Sequence, residues 1–508
     1  MYGRTSRTTA RLATPRRSSA YQTSIPSPIP TSGSRSKHRV QATISSPAIA
    51  TRYRLAIAAA ALGVLTVVVA FQLLGAYGIT YTLFDNIGQT SSLRVDTSEQ
   101  ALQHIARVGT AIADLSNPAG TDQDQQTALN TAYANFALFR ADLFTLHTDL
   151  DSAEQTTFST LENAVYNQFW PQMALAVAAQ QSRNETAVHD AYVKADSYLE
   201  GDITLSLRQI EIANFAAMKA VERQAGGVII AQAILLGFLF MLLACSLTVL
   251  SFWLRFRVRR LLTPGIDGAT VLAWVLMGLT MSQLLGLPDT LRGMVEDAYY
   301  SVTASARVLA IADQGNRAES ASLLDSSNAL LWQQRFDNTA NEIELRMCGV
   351  PGCLQMPFTK NNQDQIASLV LRNANSISPA ASASIGDIVP LVANVTYAGE
   401  AQTLEIARKA YLDYLTIDGQ LRSLIKSNQL SAAWALDTGI RPGQSDEAFG
   451  RFSTALEHEQ LINREVFDNL RHNVQTDLPA NRSLYALGGS IALIGLLAAG
   501  TIQRFREL

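Results

Sequence analysis

The sequence predicts an all-α, polytopic membrane protein: four transmembrane helices and two extracytoplasmic antiparallel helical bundles. Three observations predict it. Four long apolar runs carry no charged residue. Short segments rich in arginine alternate with two long acidic ones. The long segments show helical spacing of apolar residues and no strand alternation of useful length.

The apolar runs are 55–84, 226–254, 268–287 and 484–503. A membrane helix needs roughly 20 mostly apolar residues to cross about 30 Å of hydrocarbon. The last run, LYALGGSIALIGLLAAGTIQ, is rich in Ala and Gly and the weakest of the four. A net charge of −3 over 508 residues hides the sorting of charge. Residues 1–54 hold ten Lys or Arg and no acid. Segment 85–225 holds eight basic and eighteen acidic residues, and segment 288–483 holds sixteen and twenty-three. Basic residues beside membrane helices stay on the cytoplasmic side, and long domains cross largely regardless of charge. The pattern therefore places the N-tail, the 255–267 loop and the 504–508 stub inside the plasma membrane, and both acidic segments outside.

Residues 1–54 read as a disordered basic tail of Ser, Thr, Arg and Pro with few core-forming residues. RTSRTT and RRSS place hydroxyls beside arginines, as phosphorylation sites or as ordinary strings of such a tail. The tail is too long for a signal peptide. MYGRTSRTTARLATPRRSSAYQ has the composition of an organelle transit peptide, although the prolines of IPSPIP oppose an amphipathic helix.

In 85–225, four helices are expected. Leu93, Ala101, Ile105, Val108 and Ile112 mark the first, which NPAG ends. Leu129, Tyr133, Phe136, Phe139 and Leu143 mark the second. The third covers 152–181 with a kink at Pro171. The fourth starts at Glu185 and runs into the apolar run at 226. Such a set makes an antiparallel bundle. In 288–483, helices are expected at 289–314, 328–347, 400–427 and 446–478, with an insert at 348–399.

The loop between the second and third runs carries Arg255, Arg257, Arg259 and Arg260 against Asp267. Arginines there fix orientation and touch anionic lipid headgroups, about 1 kcal/mol each near the surface. A dozen residues held between two spans cannot present side chains to nucleic-acid bases. Cys348 and Cys353 flank a Val-Pro-Gly turn, and in an exported segment they are expected to form a disulfide. Cys245 lies within an apolar run.

No nucleotide, hydrolase, metalloprotease or kinase motif is present in the sequence. The six histidines are scattered, and those at 458 and 472 lack an i, i+4 partner and read as solvated. Glu296 and Asp297 read as a solvated acidic face. No catalytic, cofactor or metal site is expected. Arg140, within NFALFRADLF, is a candidate carboxylate ligand, or an arginine whose stem covers apolar surface. Arg464 in LINREVFDNL is a weaker case of the same kind.

The first half resembles the four-helix-bundle ligand-binding domain of methyl-accepting chemotaxis receptors. The second half resembles GlnX-like bacterial membrane sensors, through ASARVLAIADQGNRAESASLL, YLDYLTIDGQLRSL and DEAFGRFSTALEHEQLINREVFD. That resemblance implies a duplicated bundle protein coupling an extracytoplasmic solute-binding protein to a cytoplasmic Ser/Thr kinase. Membrane lipids and a second copy of the chain complete the expected partners. The rival expectation is a non-switching scaffold of the cell envelope.

Overall fold

Apolar length decides the longest helices, and the computed structural model describes residues 47–88, 92–115, 117, 120–148, 150, 152–258, 263–358 and 390–507. Most of the expected N-tail and residues 359–389 of the expected insert lie outside them. All regular structure among the described residues is helical. Helix α1, Pro47–Asn86, starts before the first apolar run, so 47–54 are helical and not tail. Pro suits a helix start because its missing N–H would be unsatisfied there anyway.

Helix α2 is Ser92–Leu115 and α3 is Asp122–His147. Thr121 begins α3 with a capping box: its hydroxyl accepts from the Asp124 N–H (3.2 Å), and the Asp124 carboxylate accepts from the Thr121 N–H (2.9 Å). Helices α4 (Ser152–Asn163) and α5 (Trp170–Gln181) are joined by a π-helical turn, Ala164–Phe169. The kink expected at Pro171 is this wider turn. Proline lacks the N–H and clashes with the carbonyl four residues back, and a π-turn relieves both. Helix α6 (Glu185–Tyr198), a π-turn (Leu199–Ile203) and α7 (Thr204–Val258) follow without a break.

Helix α8 is Pro264–Arg292, and a π-turn at Gly293–Tyr299 leads into α9, Tyr300–Leu324. Helix α10 is Ala329–Cys348. Gly349 (φ 79°) and Gly352 (φ 80°) take left-handed conformations that glycine alone adopts without cost, which folds the chain back. That turn sets the Cα atoms of Cys348 and Cys353 6.1 Å apart, joined in a disulfide. Helices α11 (Glu400–Lys426), α12 (Leu430–Asp437) and α13 (Ser445–Asn481) follow; a last π-turn, Arg482–Gly489, passes into α14, Ser490–Glu507.

Four helical stretches are long and apolar enough to cross a membrane: 51–86, 185–256, 264–324 and 445–506. Polar side chains tie these apolar helices together. Gln72 donates to Gln232 (2.8 Å), joining α1 to α7. Tyr77 donates to Gln283 (2.9 Å), and Gln283 donates to Tyr485 (3.4 Å), joining α1, α8 and the last π-turn. Helices α8 and α14 approach backbone to backbone: a methyl on Gly265 would sit 2.6 Å from the Gly500 nitrogen. Small residues permit such approach between apolar helices.

The two acidic segments do not form two separate cores. Apolar side chains of both, from Ala101 to Ile210 and from Ala304 to Leu456, join one continuous cluster. At its centre is α9. Every residue from Ser301 to Leu323 except Arg307 is buried, charged ones included. Its polar groups therefore need partners on every side. Arg317 (4% exposed) binds Asp196 (2.6 Å) and Glu200 of the first half, and Arg335 also binds Asp196 (2.6 Å). Arg107 bridges Asp313 and Glu457, each at 3.2 Å. Arg307 faces Glu99 and Glu211.

Removing one partner of a buried ion pair costs about 3–5 kcal/mol. Arg317→Met keeps the apolar stem, takes the arginine partner from Glu200 and leaves Asp196 with Arg335 alone. Thermal unfolding of the purified protein should show a loss of that order, far above the effect of Arg451→Met at an exposed pair.

Candidate functional site

A cleft of about 440 Å³ opens between the shared helical core and the apolar helices. Its walls are the first two turns of α2 with Gly88 before them, the end of the 293–299 π-turn and start of α9, and the middle of α13. Each wall is thus chained to a different apolar stretch: α1, α8 and α14.

Asp96 is the centre of the cleft. It pairs with Arg464 and accepts a hydrogen bond from the Tyr299 hydroxyl (3.0 Å), which also reaches the Ser92 carbonyl (2.6 Å). Burial pushes the Asp96 carboxyl above the usual range, while Arg464 and Tyr299 hold it down. Phe467 packs on Tyr299 with ring centroids 5.4 Å apart. Arg471 donates from one terminal nitrogen to the Gly88 carbonyl (3.1 Å), and its Nε is buried without a hydrogen-bond partner. A methyl on Gly88 would meet Arg471 Cδ at 2.6 Å and displace that side chain. Asp468 lies between the two arginines along α13 and completes a mixed-charge lining. One turn beyond Asp96, Glu99 is pushed up to about 8 by burial, against the pull of Arg307. The cleft can hold a small polar molecule that bears both donors and acceptors.

The residues singled out in the sequence are placed as follows. Arg140 is exposed on α3, while Phe136 and Phe139 are buried and Phe144 is 77% exposed, so no aromatic pocket surrounds its guanidinium. Arg464 is in the cleft. Arg255 pairs with Asp267 (3.1 Å), which also accepts from Ser251 and from the Thr263 N–H (2.9 Å). Buried Arg504 donates to the Thr263 hydroxyl (3.1 Å). The arginine loop is thus anchored to the ends of α7, α8 and α14. The Arg257 side chain, Arg259 and Arg260 lie outside the described residues. His458 and His472 are exposed, and His189 bridges the halves to Asp325 (3.1 Å). Glu296 and Asp297 are half-buried, and Glu296 pairs with Arg292.

Comparison with protein-family models, curated proteins and solved structures finds no match. Among the described residues no three or more His, Cys, Asp or Glu are placed to hold a metal ion.

Asp96, Tyr299 and Arg471 were not singled out in the sequence. They sit in separate segments, and only the packing of α2 against α9 and α13 brings them together. The same packing builds a second charged group at the other end of α9. Asp114 from α2, Glu319 from α9, Asp437 from α12 and Asp446 from α13 meet there, facing Ser320, Ser445, Tyr414, Asp418 and Arg422. Ser445 donates to Glu319 (2.8 Å), and Asn117 donates to Thr438 (3.3 Å) beside Asp437. Both carboxylate oxygens of Asp437, one of Asp114 and one of Glu319 are buried without hydrogen-bond partners.

Burial raises all four, Asp114 to about 7 and Glu319 to about 8. The folded protein therefore keeps protons that the unfolded chain releases above about pH 4. Their stabilising share is complete below that pH and is lost as pH rises through 7 to 8. Melting temperature should fall by several degrees from pH 5 to pH 9. Glu319→Gln with Asp437→Asn should flatten that slope while leaving the pH 5 value nearly unchanged.

Proposed function

We propose that the protein is a non-enzymatic transmembrane sensor of the plasma membrane, coupling an extracytoplasmic solute, or a loaded solute-binding protein, to a separate cytoplasmic partner. One observation carries the reading: two walls of the mixed-charge cleft, at the 293–299 π-turn and at α13, lie on helices that run unbroken into apolar stretches of membrane-spanning length, and the third wall, α2, follows the apolar α1 in the chain. A ligand that bridges Asp96, Arg464 and Arg471 draws α2 and α13 together. That displacement passes along the rods to the junction at Asp267, Thr263 and Arg504. Shifts of about 1–2 Å along or around packed helices are the usual amplitude of such coupling. The receiving partner would read the arginine loop and the N-terminal tail, both placed inside by the charge pattern. A Ser/Thr kinase is the partner that the resemblance to GlnX-like sensors implies.

A scaffold without switching is the second reading, and exposed apolar side chains on α3 favour it. Leu138 and Phe144 are 51% and 77% exposed, as a docking surface for another envelope protein would be.

An environment-sensitive fluorophore on Phe256→Cys, in a Cys245→Ser background, separates the two. A sensor changes emission when its ligand is added from a panel of small polar solutes, and Arg464→Ala abolishes the change. A scaffold gives the same emission across the panel with or without Arg464.

A further inference from the structure

We propose that the groove between α1 and the α13–π-turn junction is a specific site for an anionic phospholipid. Its acyl chain would lie along α1 and its phosphodiester on Arg482. This inference rests on the membrane reading of the apolar helices.

The groove measures about 670 Å³ and is mostly apolar. Gly75 and Gly78 open its floor: no atom lies within 4 Å of a methyl built on Gly75, and the only one near Gly78 is an Arg482 terminal nitrogen at 3.9 Å. Tyr81 and Pro479 flank it, and Leu478 supports it from beneath. An apolar groove that lacks side chains at Gly75 and Gly78 fits a hydrocarbon chain better than a polar solute.

Arg482 closes one end. Other arginines at this level have acidic neighbours: Arg292 pairs with Glu296, and Arg471 lies 4.0 Å from Asp468. Arg482 is exposed and has no acidic partner among the described residues. It stands two residues before the fourth apolar run, where a guanidinium lies at the boundary between hydrocarbon and headgroups. An unpaired guanidinium at that depth is matched by a phosphate, which it can bind with two parallel hydrogen bonds. A zwitterionic headgroup offers the same phosphate but adds a cation close by. The site should therefore prefer phosphatidylglycerol to phosphatidylcholine.

Native mass spectrometry tests this with the full chain released from nanodiscs of equal phosphatidylglycerol and phosphatidylcholine. The wild type should retain one phosphatidylglycerol after annular lipid is stripped. Arg482→Gln should weaken retention roughly tenfold, the worth of one charge-assisted hydrogen bond. Arg482→Lys should keep most of it. Gly75→Leu, whose Cβ has no atom within 4 Å, should fill the groove and expel the lipid while Arg482 remains. Equal retention in wild type, Arg482→Gln and Gly75→Leu overturns the site, as does recovery of a free fatty acid or of phosphatidylcholine alone. A separate arm guards the premise: if alkaline washing strips the protein from membranes, the membrane reading fails. If the protein stays embedded and retains no lipid, only the groove assignment fails.

Discussion

The fold depends on the burial of charge around α9. A helix enclosed over more than twenty residues is ordinarily apolar all round. This one carries Arg317, Asp313 and Glu319 inside, and each must be matched by a group from another helix. Asp196, Glu200, Arg107 and Ser445 supply the matches, the first three from the first acidic segment. Water would solvate these groups well, so their assembly does not arise from attraction alone. The apolar cluster around them drives the collapse, and the ion pairs decide which register of helices is admissible. Shifting α9 by one turn would part Asp313 from Arg107 of α2 and Arg317 from Asp196 of α6 and Glu200 of the π-turn after it. A methyl on Gly109 would meet Arg317 Cδ at 2.5 Å, so even the guanidinium's path between α2 and α9 is fixed by a missing side chain.

Much of this was legible in the sequence at the level of helices. The expected helices 328–347, 400–427 and 446–478 are Ala329–Cys348, Glu400–Lys426 and Ser445–Asn481. Apolar spacing and turn residues set such ends locally, so a single chain displays them. The shared core was not legible. The Ser, Asp, Arg and Glu residues of ASARVLAIADQGNRAESASLL give no local sign of burial. Their partners lie more than a hundred positions away, as Asp196 does from Arg317, and nothing in local spacing announces a pairing across that distance. The cleft was hidden for the same reason. Arg464 stood out through its apolar neighbours, whereas Asp96 is one of many acids in an acidic segment. Arg140 attracted notice by the same aromatic context as Arg464, but its face of α3 turns away from the core.

The π-turns tell how the rods are built. Wider turns interrupt the helices at Gly293–Tyr299 and Arg482–Gly489, between the shared core and the apolar layer. Pro288 and Pro479 lie within two turns of them. Each proline withholds a backbone hydrogen bond from the carbonyl four residues before it, and the π-turn that follows widens the helix without ending it. The rod stays continuous, yet its rotational register on the two sides of the turn is no longer locked to the ideal 3.6-residue period. Helix α7 has no such turn at the corresponding level; it runs from Thr204 to Val258 as one α-helix. The fold therefore combines one stiff strut with two jointed rods.

That difference gives the cleft its mechanical meaning. Tyr299 and Arg464 belong to the 293–299 π-turn and α13, on the two jointed rods, Asp96 belongs to α2, and none belongs to α7. A force applied at the cleft acts on the jointed rods relative to the strut. At the far end the same rods meet again, where Asp267 of α8 binds Ser251 and Arg255 of α7, and Arg504 of α14 binds Thr263. Between the two ends the polar bridges Gln72–Gln232 and Tyr77–Gln283–Tyr485 hold the helices in lateral contact. A hydrogen bond surrounded by apolar side chains has no water to exchange with, so it either persists or must find another protein partner. Movement of one rod is then discrete: it ends where the displaced amide or hydroxyl meets its next acceptor. The proposed sensor reading draws on these parts: a charged cleft at one end, the polar junction of Asp267, Thr263 and Arg504 at the other, and a few polar contacts between.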